Sequence, residues 1–131
     1  MNYAPLFAIA IAALVSFAAA PVATAEETAG KTLYHVVSIK FKEGTSAEQI
    51  KTVEEAFQGL KTKIPGVTSL HCGANVSPEN KNKGFTHCFV LTFATEKDRD
   101  GYLVHADHKA FGKVLGPVVG DVMVIDFWSK D

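Results

Sequence analysis

The run Phe85–Phe93 (FTHCFVLTF) limits the fold more than any other stretch of the chain. At the two-residue period of a strand, Phe85, His87, Phe89, Leu91 and Phe93 share one face, and Thr86, Cys88, Val90 and Thr92 share the other. The second face is barely polar. A strand apolar on both faces belongs to a sheet covered on both sides. Helices of the same chain can cover one side. A second copy of the chain is the economical cover for the other.

The remaining elements fit around that strand. Leu33–Phe41 (LYHVVSIKF) alternates cleanly, with His35, Val37, Ile39 and Phe41 on one face and Tyr34, Val36, Ser38 and Lys40 on the other. After the break at Lys42-Glu43-Gly44, Thr45 or Ser46 caps a helix, because Thr45-x-x-Glu48 and Ser46-x-x-Gln49 both read as capping boxes. Ala47, Ile50, Val53, Phe57, Leu60 and Ile64 form one apolar stripe along it, and Pro65-Gly66 ends it. Val67–Val76 reads as a second strand, and Ser77–Gly84 as a polar turn. Thr95-x-x-Asp98 opens a second helix running toward His105. The helix resets at Ala106-Asp107, with Asp107 placed to cap a segment from His108 to about Leu115. Gly116-Pro117 closes that segment, and Asp121–Trp128 is the last strand. The predicted class is α+β: a ferredoxin-like βαββαβ protomer with a four-stranded antiparallel sheet and helices on one face.

Residues 1–25 differ in kind from the rest. Leu6–Ala20 is an apolar run too short to span a bilayer comfortably, and Ala23-x-Ala25 fits a signal-peptidase site. The expectation is a cleaved signal peptide over 1–25, a flexible lead over 26–32 and one domain over 33–129. The protein would then be exported, periplasmic or secreted, with no stable membrane insertion after cleavage. The net charge of −1 lacks the basic stripe of a nucleic-acid binder. Two cysteines in an exported chain invite a disulfide, but alternation puts Cys72 and Cys88 on opposite sheet faces, so no bridge is expected.

The acid/base groups concentrate in Gly101–Gly112. Tyr102 and His105 lie three apart on one side of a helix, and His108 follows the reset. His35 and His87 each open the apolar face of a strand. If those strands are neighbours, the two histidines lie close, and the second helix covers the same face. Three or four acid/base groups would then converge on one pocket, with Phe57 able to wall it. No glycine-rich phosphate loop, G-x-S-x-G or paired Cys-x-x-Cys motif is present, and no metal or cofactor is assigned.

His35-Val-Val-Ser-Ile-Lys-Phe-Lys42, Phe85-Thr-His87, and Tyr102-x-x-His105-x-x-His108 followed by Phe111-Gly112 resemble the stress-responsive dimeric α/β-barrel (A/B barrel) domain family. The resemblance runs from about Leu33 to Phe127. It implies a homodimer in which two sheets meet face to face with the helices outside. In plant polyketide cyclases of this family a tyrosine and a histidine of the last motif are catalytic, and two strand histidines line the pocket. Carried over, Tyr102 and His108 are the catalytic pair, with His35 and His87 in support and His105 and Phe57 as further binding residues. His108 would remove a proton beside a carbonyl, and Tyr102 would hold the carbonyl oxygen. Some plant members also hold a magnesium ion on backbone carbonyls, near Ile64 to Val67 here.

Three functions stay open on the sequence: a barrel that binds a small apolar molecule, a cofactor-free cyclase, isomerase or monooxygenase-like enzyme using Tyr102 and His108, and a structural dimer module without ligand.

Overall fold

A computed structural model describes residues 28–131. The predicted signal segment and the first part of the lead lie outside the described residues. Eight elements follow in order: β1 (Leu33–Phe41), α1 (Ala47–Gln58), α2 (Leu60–Lys63), β2 (Val67–Ala74), β3 (His87–Phe93), α3 (Glu96–Val104), α4 (Ala106–Leu115) and β4 (Val119–Trp128). The sheet order is β2-β3-β1-β4, with every neighbouring pair antiparallel. This is the ferredoxin-like split βαβ arrangement.

Ser46 is the cap of α1. Its side chain accepts from the Gln49 backbone N–H, and the Gln49 side chain accepts from the Ser46 N–H, closing the capping box. The apolar stripe behind it buries Val53, Phe57, Leu60 and Ile64 against Phe89, Leu91 and Phe93 of β3. The expected single long helix is in fact two, because Gly59 interrupts it between Gln58 and Leu60. The stripe carries on through the interruption, so the core gives no sign of it. At Gly66 the chain turns with φ +93°, where a side chain would be strained and would also press within 3.0 Å of Asp98.

The other corrections are local. Asp107 does not cap the last helix. His105, extended at ψ 143°, takes that place, and its Nδ1 accepts from the Asp107 N–H. β4 begins at Val119, two residues before the expected start. A register shift between Lys40 and Phe41 makes room for Gly120, where a side chain would crowd the Lys40 carbonyl at 3.1 Å.

Register fixes what each face carries. On the helix side, Leu91, His35 and Asp126 form one rung, Phe89, Val37 and Val124 the next, and His87, Ile39 and Val122 the one beyond. The opposite side carries Val90, Val36 and Ile125, then Cys88, Ser38 and Met123. Cys72 pairs with Phe89 and Cys88 with Gly73, so the two thiols face opposite sides and both are free. The helix layer stops short of β4. Val122 and Val124 are 41% and 53% exposed on the helix side, and Ile125 and Phe127 are 52% and 47% exposed on the other. Among the described residues no helix is long and apolar enough to cross a membrane.

Candidate functional site

Because α3 and α4 leave β4 uncovered, an open-sided cavity of about 410 Å³ lies between them and the β1–β4 half of the sheet. Its walls are mostly aliphatic and aromatic. Val37, Ile39 and Val124 come from the sheet, Phe57 from α1, and Phe111 and Leu115 from α4. Phe57 packs edge-on against Phe89, with ring centroids 4.6 Å apart, and backs the cavity.

Four polar groups meet at one end: His35, Tyr102, His108 and Asp126. The His35 and Tyr102 rings are edge-to-face with centroids 5.8 Å apart, and those of Tyr102 and His108 lie 4.4 Å apart. The break at His105 produces this grouping, since it turns α4 so that His108 meets Tyr102 of α3. The His108 Nδ1 lies 3.1 Å from the Leu103 carbonyl. A carbonyl only accepts, so Nδ1 carries the proton and Nε2 holds the lone pair of the neutral ring. Burial pushes the His108 pKa below the ordinary histidine value. The Leu103 bond opposes this shift, and the charge of nearby His35 adds to it. Burial pushes the Tyr102 hydroxyl well above its ordinary range, so it stays protonated and able to donate.

No described residue hydrogen-bonds the Tyr102 hydroxyl, the His108 Nε2 or the His35 Nε2. Among the described residues no fully buried side-chain polar atom lacks a partner. These three atoms therefore reach open space, and their residues line the cavity.

His35 is held from behind. Its Nδ1 donates to Asp126 Oδ1 at 2.6 Å, and the Arg99 guanidinium donates to Asp126 Oδ2 at 2.5 Å. Neither Asp126 nor Arg99 was among the expected site residues. The signal for Asp126 is an acid on the inward side of an otherwise apolar strand. The signal for Arg99 is its place one turn before Tyr102 on the same helix.

Two expected residues are not in this group. β1 and β3 run antiparallel, so the histidines that open each strand lie toward opposite ends of the pair. His87 pairs with Ile39, four residues from His35, which separates them by roughly 13 Å along the strand. His87 instead packs edge-on against Phe41 at 5.1 Å, with Glu54 3.8 Å from its Nε2. His105 spends its Nδ1 on capping α4. His35, Phe57, Tyr102 and His108 do line this cavity together.

Within the stretch Ile64 to Val67, the Val67 carbonyl already faces a cation. The Lys61 ammonium already donates to the carbonyls of Val67 and Thr68, at 3.3 and 2.5 Å, and would repel a second cation there. Among the described residues no group of three or more His, Cys, Asp or Glu is arranged to hold a metal.

Residues 33–129 match the Dabb family, the stress-responsive A/B barrel domain. The chain belongs to that family. It is 32% identical over 93 residues to the stress-response A/B barrel domain-containing protein HS1 of Arabidopsis thaliana, covering 71% of this chain and 85% of that one. Olivetolic acid cyclase of Cannabis sativa is 26% identical over 96 residues, covering 73% of this chain and 95% of the cyclase. A crystal structure of a dimeric ferredoxin-like protein of unknown function from Jannaschia sp. CCS1 superposes with a TM-score of 0.66 at 26% identity, covering 73% of this chain and 97% of that one.

Proposed function

We propose that this A/B barrel domain protein is an exported homodimer that binds a small, uncharged, mainly apolar carbonyl compound in the cavity beneath Tyr102. The observation that carries the reading is the gathering of Tyr102, His108 and His35 at one end of an otherwise apolar cavity. Its volume falls in the range of small-molecule sites, and so does its mix of apolar wall and few polar groups. Among the described residues Asp126 is the one acidic or basic side chain on the wall besides the histidines, and both its oxygens are already engaged. An anionic ligand would meet that carboxylate with no free cation on the wall to offset it. A neutral carbonyl would instead accept from the Tyr102 hydroxyl.

The dimer is supported by the open sheet face, where Tyr34 and Phe127 stack with centroids 5.0 Å apart and Ile125 stands exposed. The dimeric relative from Jannaschia supports it as well. Export is supported by Leu6–Ala20 followed by Ala23-x-Ala25. Native mass spectrometry of protein from its producing cell tests these parts together. The expected species is a dimer of chains beginning at Glu26, carrying a neutral small-molecule adduct. A bare monomer of the full chain would overturn the reading. Calorimetry tests the ligand class: acetophenone is expected to bind and benzoate to bind at least tenfold more weakly, a difference of about 1.4 kcal/mol. Equal binding of the two would sink it.

A second reading, catalysis, is favoured by one observation. The His108 Nδ1 is committed to the Leu103 carbonyl, which leaves Nε2 available as a base on a ring packed against that of Tyr102. The resemblance to olivetolic acid cyclase, an enzyme by its name, points the same way.

A further inference from the structure

His35 is almost wholly buried at 5% exposure, yet its ring is tied to a carboxylate on the most exposed strand of the sheet. An aspartate on an edge strand gains more from water than from an apolar wall, and alone it would turn outward. Arg99 removes that choice. Its guanidinium lies on α3, three residues before Tyr102, and reaches across to β4 to take the second Asp126 oxygen. The Arg99 Nε is in turn held by Asp100 at 2.7 Å. Two acids thus share one guanidinium, and the Asp126 oxygen left over faces His35.

We propose that Arg99 is a positioning residue of the cavity: through Asp126 it holds His35 with its proton on Nδ1 and its Nε2 turned to the cavity. The cavity then presents two imidazoles of fixed orientation, His35 and His108, each packed against the Tyr102 ring. The charged and titratable groups around His35 are Asp126 on β4, Arg99, Asp100 and Tyr102 on α3, and His108 on α4. This proposal rests on the cavity being the working site, but its test reads His35 itself.

The test is nitrogen-15 NMR of the imidazoles in the mature chain. In the parent protein His35 is expected as a single Nδ1–H tautomer with a slowly exchanging, downfield Nδ1 proton. In Arg99→Gln the Nε2–H tautomer is expected to appear, and the Nδ1 proton to exchange with water roughly tenfold faster or more, because a charge-assisted hydrogen bond is lost. Arg99→Lys is expected to restore the single tautomer. Melting-temperature loss in Arg99→Gln with the His35 signals unchanged would overturn the proposal and leave Arg99 as a tie between α3 and β4. If Arg99→Gln does not fold, Asp126→Ala reads the same signals, and an unaltered His35 tautomer there would also overturn it. Failure of the cavity reading would look different: no ligand would bind, while the His35 signals behaved as described.

Discussion

Phe57→Ala is expected to cost the protein about 3–5 kcal/mol of stability, the range for deleting a buried aromatic ring. Phe57 is 1% exposed and stands where three elements meet. Its ring packs against Phe89 of β3 at 4.6 Å and Phe111 of α4 at 5.7 Å. Removing it takes away the transfer energy of the ring and leaves a void that the sheet beneath cannot fill by moving. It also merges that void with the existing cavity, since Phe57 is part of the wall. The variant should therefore be less stable and accept a bulkier ligand than the parent. Chemical denaturation at one fixed protein concentration measures the first, because the stability of a chain proposed to dimerise depends on its concentration. Calorimetry with acetophenone and a two-ring ketone measures the second. A loss below about 1 kcal/mol would mean that Phe57 is not the packing centre described above.

Most of this architecture is legible in the residues because period and capping are local. The alternation of Leu33–Phe41 places His35 and Ile39 on the buried face, and both are buried there. The Ser46-x-x-Gln49 spacing predicts a capping box that forms. What escapes is set by pairing between distant segments. His35 and His87 look equivalent when each strand is read alone, and only the antiparallel register separates them. Asp126 reads as one polar position in an apolar strand until β4 is laid beside β1, where its partner is His35. His105 looks like a member of the Tyr102 group at three-residue spacing, but the chain is extended there and the ring becomes a cap. Gly59 breaks α1 without disturbing the apolar stripe, so hydrophobic period cannot reveal it.

The second large effect concerns His108, in the catalytic reading. Deuterium exchange of the methyl protons of acetophenone measures proton abstraction without knowledge of the natural substrate. His108→Ala is expected to slow this exchange by roughly 10²–10⁴-fold, the usual worth of a positioned general base, while acetophenone binding changes little. Binding survives because the apolar wall and the Tyr102 hydroxyl remain. Exchange fails because Tyr102, pushed upward by burial, is a donor and not a base at neutral pH. The parent protein's pH profile follows from the lowered His108 pKa. Exchange should rise with pH through an inflection below 6.5 and then level off, as the neutral ring becomes fully populated. The same shift gives a stability signature of definite sign. Between the depressed folded pKa and the unfolded value of 6.5, the unfolded chain binds more protons than the folded one. Stability therefore rises with pH across that window and is lost on acidification through it. His108→Ala should flatten the dependence there, as read by denaturation at a series of pH values. A variant that kept its exchange rate, with the pH slope of stability gone, would make His108 a packed histidine and nothing more. Loss of both together ties the partly buried imidazole to the chemistry, because the desolvation that lowers its pKa extends the neutral, basic form to lower pH.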